Sequence, residues 1–137
     1  AGYIDNAIAL ARTGRALVAS FGDMLKVPGS SADTLGSLAG AGRVKLVYSP
    51  SELPGLAAAA ARPVVFLAIG FETTIPTVLS ALLAARARGI NNLLLYTAFR
   101  TIVPALRHLL AERAEEACGQ VLFVQNGGVP CLGLAVF

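Results

Sequence analysis

The segment SFGDMLKVPGS, residues 20–30, brings several chemically distinct side chains together in a chain that is otherwise mostly Ala, Leu and Val. Its glycines permit tight backbone, and Pro28 fixes a turn. Asp23 is a candidate metal ligand or proton acceptor, and Met24 offers a soft sulfur contact. The alternative is a rigid turn in which Asp23 caps backbone amides, Met24 fills the core and Lys26 is solvated. We call this segment the FGDM loop.

The segment GFETTIP, residues 70–76, is a second unusual stretch and is called the GFETT loop. Glu72 follows an apolar run of strand length and is flanked by the hydroxyls of Thr73 and Thr74. A carboxylate in such a place can act as a general base or bind a cationic or metal partner. The alternative is that Thr73 or Thr74 caps a helix beginning near Pro76, with Glu72 favoured by the helix dipole.

The elements that position both loops alternate between short apolar runs and longer Ala-rich amphipathic runs. Ser49-Pro50-Ser51-Glu52 has the pattern of a capping box, with Ser49 as the N-cap. Periodicity predicts strands over residues 16–20, 43–48, 64–69, 92–97 and 121–125, and helices over residues 3–12, 32–41, 50–61, 76–88 and 102–116. About five βα alternations predict a three-layer α/β architecture, with a mainly parallel sheet and helices on both faces.

Both loops follow predicted strands, and ligands of open parallel sheets bind beyond the carboxyl ends of the strands. We therefore expect both loops at one side of one sheet. A boundary near Arg62-Pro63 further predicts two small lobes. Residues 1–62 would form a partial first lobe with the FGDM loop, and residues 63–137 a second lobe with the GFETT loop.

The composition excludes several classes of protein. Hydrophobic residues make up 55% of the 137 residues and charged residues only 14%, so most elements are expected to be buried on more than one side. No segment reaches the roughly 18 consecutive apolar residues of a membrane span. The net charge of +3 is spread thinly, which gives little support to nucleic-acid binding. Two cysteines without CxxC spacing or a secretory signal predict a reduced, cytoplasmic protein.

The remaining candidate residues point to structure rather than to chemistry. His108 is expected on a helix surface, Cys118 and Cys131 as small hydrophobic residues, and Gly127-Gly128 in a plain turn. No GxGxxG, Walker A or GxSxG motif is present, so nucleotide-binding and hydrolase functions lack their usual motifs. The chain begins inside a helical pattern and stops in the apolar run GLAVF, so we expect a fragment of a longer protein.

SFGDMLKVPGS, VKLVYSPSEL and PVVFLAIGFETTIPT occur in this order and together resemble the HypD family of [NiFe]-hydrogenase maturation proteins. The IDNAIALA opening fits the same family, and the similarity covers residues 3–105. The resemblance implies Rossmann-like α/β lobes around a cleft, in an assembly scaffold rather than a stand-alone enzyme. By position, the residues that would line or shape that cleft, or bind a partner there, are Phe21, Gly22, Asp23, Met24, Pro28, Gly29, Glu72, Thr73 and Thr74.

The resemblance also implies cofactors and partners. Family members help build the iron centre with cyanide and carbon monoxide ligands, Fe(CN)2CO, with a small HypC-type chaperone and a cyanide-supplying HypE-type protein. A C-terminal region of the family holds a [4Fe–4S] cluster. The family's cysteine segments have no counterpart in this chain, and Cys118 and Cys131 match none of them. The family's histidines are also absent, with Phe99 near one expected position and GGVP, residues 127–130, at the other. The cluster and iron ligands are therefore expected to be missing here.

Three functional hypotheses follow. In the first, the chain is a fragment or divergent member of a HypD-type scaffold, in which Asp23 and Glu72 orient cysteine ligands or a partner's tail. In the second, it is a non-catalytic α/β interaction module that has lost its metal chemistry, as the missing thiols and histidines favour. The third, an enzyme acting on a small anionic ligand at a helix N-terminus, lacks a phosphate loop.

Overall fold

The computed structural model describes residues 2–112, 121–126 and 129–136. The helices are α1 (Tyr3–Thr13), α2 (Leu35–Ala39), α3 (Leu53–Ala59), α4 (Ile75–Ala87) and α5 (Ile102–Glu112). The strands are β1 (Leu17–Ser20), β2 (Val44–Leu46), β3 (Val64–Phe71), β4 (Leu93–Arg100), β5 (Val121–Asn126) and β6 (Val129–Val136). Short 3-10 turns span Asp23–Lys26, Pro50–Glu52 and Glu72–Thr74.

Strands β1 to β4 form one parallel sheet in the order β2-β1-β3-β4. The chain runs outward from β1 to β2, returns past β1 to β3, and then continues in the other direction to β4. The strand order therefore reverses between β1 and β3, which is the topological switch point of a doubly wound sheet. The FGDM loop follows β1 and the GFETT loop follows β3, so both loops leave the sheet at this point.

Helices cover both faces of this sheet, and each face has its own apolar core. On one face, α1 and α2 pack against β1, β2 and β3, with Ile8, Leu35 and Leu67 among the buried residues. On the other face, α3 and α4 pack against β1, β3 and β4 around Phe66 and Leu53. The α/β class and the Rossmann-like three-layer architecture predicted from the sequence are confirmed.

Each predicted strand is present and starts within one residue of the predicted position. The predicted capping box is also present: Glu52 Oε1 accepts the Ser49 N–H at 2.8 Å, and Ser49 caps the turn that leads into α3. The helix expected over residues 32–41 is shorter. It begins at Leu35 because Ala32 adopts a left-handed backbone (φ 60°), and the Thr34 side chain caps the helix by accepting the Ser37 N–H.

The fifth predicted strand, β5, does not continue the parallel sheet. Strand β5 pairs antiparallel with β6 in a two-stranded sheet, whereas the alternation predicted a further parallel strand. The turn expected at Gly127-Gly128, the residue Cys118 and the predicted helical continuation over 113–116 lie outside the described residues. Strands from both sides of the Arg62-Pro63 boundary share the four-stranded sheet, and the division into two lobes stays a prediction. None of the described helices combines the length and the apolar character needed to cross a membrane.

Candidate functional site

The two loops begin at different positions along the strand direction, because β3 extends beyond the end of β1. Ala19 of β1 is in register with Phe66 of β3, and β1 ends one residue later, whereas β3 continues to Phe71 alongside β4. The four extra residues carry β3 about 13 Å beyond the end of β1. The β3–β4 pair therefore projects past β1 and forms one wall, and the FGDM loop begins at its base.

Phe21 anchors the start of the FGDM loop to the core. Its ring meets the fully buried Phe66 ring edge-on, with centroids 5.2 Å apart and an interplanar angle of 89°. This edge-to-face geometry is a favourable arrangement of two aromatic rings. The first residue after β1 is therefore fixed by the strand that carries the other loop.

Asp23 and Met24 have different surroundings in the FGDM loop: Met24 is buried and Asp23 is exposed. Met24 is only 8% exposed and fills the core, as the rigid-turn interpretation expected. Asp23 is exposed and opens the 3-10 turn, where its Oδ1 accepts the Met24 N–H at 2.8 Å. The Asp23 carboxylate is thus oriented by the backbone yet open to solvent, so it can still meet a ligand or partner.

The VPGS end of the FGDM loop is clamped to α1 by Asp5. The two carboxylate oxygens of Asp5 accept the Ser30 N–H and the Ser30 hydroxyl, each at 2.7 Å. Gly29 lies close to this clamp, because a Cβ there would lie 2.7 Å from Asp5 Oδ1 and 2.9 Å from Ile8 Cδ1, and these side chains would have to shift to admit it. Pro28 forms an isolated bridge with Thr34. No pattern in the sequence indicated this role of Asp5, because its partner lies 25 residues away.

Asp5 should make the fold sensitive to acid. Hydrogen bonds from the backbone of Gly2, then from the backbone and hydroxyl of Ser30, lower the pKa of Asp5 from 3.8 to about 2. A carboxyl whose pKa is depressed by folding stabilises the native state above its unfolded pKa, and this contribution is lost as the pH falls through the folded value. We expect Asp5→Asn to lower the urea midpoint at pH 7, and the difference from the wild type to shrink between pH 4 and pH 2. A difference that is constant over that range would contradict the clamp.

Gly70 gives the GFETT loop its shape. Its φ of +146° lies in a region that L side chains rarely adopt, and a Cβ there would lie 2.7 Å from Thr74 Oγ1. Thr73 is exposed on the 3-10 turn. Thr74 occupies the N-cap position of α4, but its side chain makes no capping hydrogen bond. Threonine capping of this helix, one of the sequence-based alternatives, is therefore not observed for Thr74.

Glu72 instead caps the next helix. Both of its carboxylate oxygens lie within hydrogen-bonding distance of the Ile102 N–H, at 2.9 and 3.1 Å. Ile102 is the first residue of α5, so a negative charge stabilises the amino end of that helix. Glu72 is half-buried and ties the end of β3 to the end of β4. Its main contact is therefore with the protein backbone.

The opposite side of the projecting wall is held by α1. The Tyr3 and Tyr96 rings stack with centroids 4.4 Å apart, and the Tyr3 hydroxyl donates to the Tyr96 carbonyl at 2.5 Å. Asn6 Nδ2 donates to the Tyr96 hydroxyl. Burial, and then the neighbouring Tyr96, raise the pKa of Tyr3 well above its usual value. The Tyr3 hydroxyl therefore keeps its proton and remains a hydrogen-bond donor. No local sequence signal indicated it, because its partners are 93 residues apart.

The nine predicted site residues thus lie in two loops at one switch point, but they differ in role. Asp23 is an exposed carboxylate, whereas Phe21, Met24, Gly29 and Glu72 make structural contacts. Within residues 2–112 and the two described strands that follow, no group of three or more His, Cys, Asp or Glu side chains is placed to hold a metal ion. The chain's two cysteines cannot supply the four thiolates of a [4Fe–4S] cluster.

The order β2-β1-β3-β4 with helices on both faces gives this chain the architecture of a doubly wound, open-sheet α/β protein. The sequence profile named HypD, described as "Hydrogenase formation hypA family", matches residues 1–129. The chain therefore belongs to the HypD family.

Several curated relatives are similar to most of this chain. The hydrogenase maturation factor HypD of Escherichia coli K12 is 37% identical over 112 residues, which are 81% of this chain and 30% of the relative. HypD of Rhizobium leguminosarum bv. viciae is 46% identical over 93 residues, 66% of this chain and 24% of the relative. The hydrogenase expression/formation protein HupD of Azotobacter chroococcum is 35% identical over 120 residues, 86% of this chain and 31% of the relative. The chain spans less than a third of the length of these relatives.

Proposed function

We propose that this chain acts in hydrogenase maturation, as part of a scaffold that helps build the Fe(CN)2CO centre of [NiFe] hydrogenase. The observation that carries the proposal is that both family loops, FGDM and GFETT, border the β1/β3 switch point of one sheet. Its membership of the HypD family and the maturation-factor names of its relatives support the same role.

In this proposal the loops form a wall of the assembly cleft. Asp23 is the polar group that faces the cleft, because its carboxylate is exposed and held by the Met24 N–H. Such a group can orient a metal-bound cysteine or a partner's tail without binding the metal itself. Phe21, Gly22, Met24, Pro28 and Gly29 shape the wall beside it. Glu72, with Thr73 and Thr74, shapes the opposite edge, and Glu72 acts by fixing the start of α5.

The iron centre is cargo in this proposal, and its thiolate ligands come from elsewhere. Thiolates are among the soft ligands that suit such an iron centre, and the whole sequence has only two cysteines, at positions 118 and 131. A HypC-type chaperone and a HypE-type cyanide donor are the proposed partners. In a longer HypD-family polypeptide, other segments would supply the cysteines that face Asp23.

A second candidate is a non-catalytic interaction module that only docks the maturation partner. It is favoured by the small number of cysteines, two in the whole chain, at positions 118 and 131. The first candidate needs the Asp23 carboxylate for iron to be incorporated. The second needs only the surface that docks the maturation partner.

A chimera tests the proposed role. The matching segment of E. coli HypD, which is 37% identical to this chain over 112 residues, is replaced by this chain's segment and expressed in a strain without its own HypD. We expect hydrogenase activity and iron in the purified chimera. Asp23→Ala should lower both about 10- to 100-fold, because the oriented carboxylate is lost. Lys26→Ala, at an exposed position of the same turn, is the matched control and should have no effect.

Further variants separate charge from position. Asp23→Asn keeps a side-chain oxygen for the Met24 N–H but removes the charge, so it should behave like Asp23→Ala if the charge is needed. Glu72→Gln keeps an acceptor for the Ile102 N–H and should retain more activity than Glu72→Ala. Full activity of Asp23→Ala would remove Asp23 from the mechanism. A folded chimera that binds the small chaperone but carries no iron would support the docking module instead.

A further inference from the structure

The parallel sheet gathers arginines at the amino ends of its strands, at the edge opposite the FGDM and GFETT loops. The four connections that lead from a helix into β1, β2, β3 and β4 span residues 14–16, 40–43, 60–63 and 88–92. Each contains one arginine and no acidic residue, and the four are Arg15, Arg43, Arg62 and Arg88. Neighbouring strands lie about 4.8 Å apart, so the arginines before β2, β1 and β3 leave the sheet within about 10 Å of one another.

Hydrogen bonds draw three of these arginines, together with one from the end of α1, into a single cluster. Arg62 Nη1 donates to the Gly14 carbonyl at 3.0 Å, and Arg62 Nη2 donates to the Gly42 carbonyl. Each of these glycines directly precedes another arginine of the row. Arg43 Nη1 in turn donates to the Arg12 carbonyl at 2.6 Å. We call the resulting cluster the basic edge, and its members are Arg12, Arg15, Arg43 and Arg62.

Asp33 is the acidic residue that meets the basic edge. Its Oδ2 lies 2.6 Å from Arg12 Nη2, and the two side chains are 39% and 54% exposed. Within the described residues, no other member of the basic edge has an ion-pair partner. The cluster therefore holds four positive charges against one negative charge. Because these charges lie within about one Debye length of one another, salt screens their mutual repulsion only in part.

Capping of the helix ends does not by itself account for this charge. Cations are favoured near the carbonyl end of a helix, and Arg62 and Arg43 do bond to carbonyls there. At the end of α3, however, a neutral side chain performs the same task, since Asn92 Nδ2 donates to the Ala57 carbonyl at 2.8 Å. Arg15 is exposed, and its guanidinium bonds to none of the described residues. The basic edge thus carries more positive charge than its contacts within the fold use.

From this excess of charge we propose that the basic edge binds an acidic segment of a partner protein. Guanidinium groups bind carboxylates through paired N–H···O contacts, and a row of them at strand spacing matches a row of Asp or Glu side chains. Nucleic acid fits less well, because the four connections contain no aromatic residue on which a base could stack.

A partner at the basic edge would leave the two loops free. The FGDM and GFETT loops follow the carboxyl ends of β1 and β3, whereas the basic edge lies at the amino ends of the strands. Strand β1 is four residues long and β3 is eight, so the two edges lie about 13–26 Å apart. The inference therefore does not depend on the function proposed for the loops.

Fluorescence anisotropy of a labelled oligoglutamate peptide, added to the purified chain, tests the inference. We expect binding at about 50 mM salt that weakens several-fold by about 200 mM, because salt screens exposed ion pairs. An oligoglutamine peptide of the same length should not bind, since it has no carboxylates.

Charge variants of opposite sign locate the binding surface. Arg15→Gln should weaken peptide binding about two- to fivefold, as expected for loss of one exposed ion pair. Asp33→Asn should strengthen it by a similar factor, because it removes the opposing charge and releases Arg12. Lys26→Gln is the matched control and should have no effect, since it changes the net charge as Arg15→Gln does but lies in the FGDM loop. Circular dichroism of each variant checks that the fold is retained.

Three results would overturn the proposal. The first is that the oligoglutamate peptide does not bind at about 50 mM salt. The second is that Lys26→Gln weakens binding as much as Arg15→Gln, since the peptide would then respond only to the net charge of the chain. The third is that a single-stranded oligonucleotide of equal charge binds more tightly than the peptide, which would make the basic edge a nucleic-acid surface.

Discussion

Gly70→Ala should lower the free energy of unfolding by about 2–4 kcal/mol, because the loop backbone has no room for a side chain. Gly70 has a φ of +146°, and its new Cβ would lie 2.7 Å from Thr74 Oγ1 and 3.2 Å from Thr74 Cβ. Strained backbone and steric overlap each contribute. Urea denaturation followed by circular dichroism at 222 nm measures the loss.

Two further variants separate the causes of this loss. Gly55→Ala provides the control, since Gly55 lies within α3 and nothing lies within 4 Å of its added Cβ. It should be neutral or stabilise the helix by up to about 1 kcal/mol. Adding Thr74→Ala to Gly70→Ala should restore the part of the stability that the hydroxyl overlap removed, but not the part due to φ. Equal effects of Gly70→Ala and Gly55→Ala would show that the loop conformation is not required.

The strands of the sheet were predictable because their signal is local. The run at residues 64–69 is continuously apolar and rich in β-branched side chains, as expected of a strand that is buried on both faces, and β3 is buried from Val64 to Ala68. The capping box at Ser49 was equally local, since all of its partners lie within three residues. Pairing of β5 was not predictable in this way, because an apolar strand of six residues carries no information about the direction of its partner.

That the two loops lie at one edge of one sheet was also predictable, whereas the contacts of each residue in them were not. Strand ends that precede glycines and polar residues identified the FGDM and GFETT loops, and the parallel alternation placed both at one edge. The partner of Glu72 is a backbone amide 30 residues later, and the partner of Asp5 is 25 residues later. Hydroxyl and carboxylate side chains can satisfy caps, clamps or ligands equally well, so only the folded chain decides among them.

The contacts of the two loop carboxylates decide which of them carries the proposed chemistry, and they favour Asp23 over Glu72. Glu72 has both oxygens engaged by the Ile102 N–H, so a metal or partner would have to compete with a helix cap. Asp23 has an exposed carboxylate bonded only to the adjacent Met24 N–H among the described residues. Of the two carboxylates in the loops, Asp23 is therefore the more accessible to a ligand.

Phe66→Ala should destabilise the chain by about 3–5 kcal/mol, because it removes a fully buried ring from the centre of one core. The loss should also reach the FGDM loop, because the Phe66 ring supports Phe21. Urea denaturation measures the stability, and lysyl endopeptidase reports on the loop, since Lys26 is exposed in its 3-10 turn. We expect faster cleavage after Lys26 in the variant under conditions where it remains folded.

A double-mutant cycle isolates the contact between the rings. Phe66→Leu and Phe21→Leu, made singly and together, should give a coupling of about 0.5–1.5 kcal/mol, as measured for edge-to-face aromatic pairs. Phe71→Ala is the control for loss of an aromatic ring, since Phe71 is 39% exposed and should cost only about 1 kcal/mol or less. Zero coupling, together with unchanged cleavage after Lys26 in Phe66→Ala, would mean that β3 does not hold the FGDM loop. The two loops would then be neighbours at the switch point without being mechanically joined, and the cleft wall would lose its rigid base.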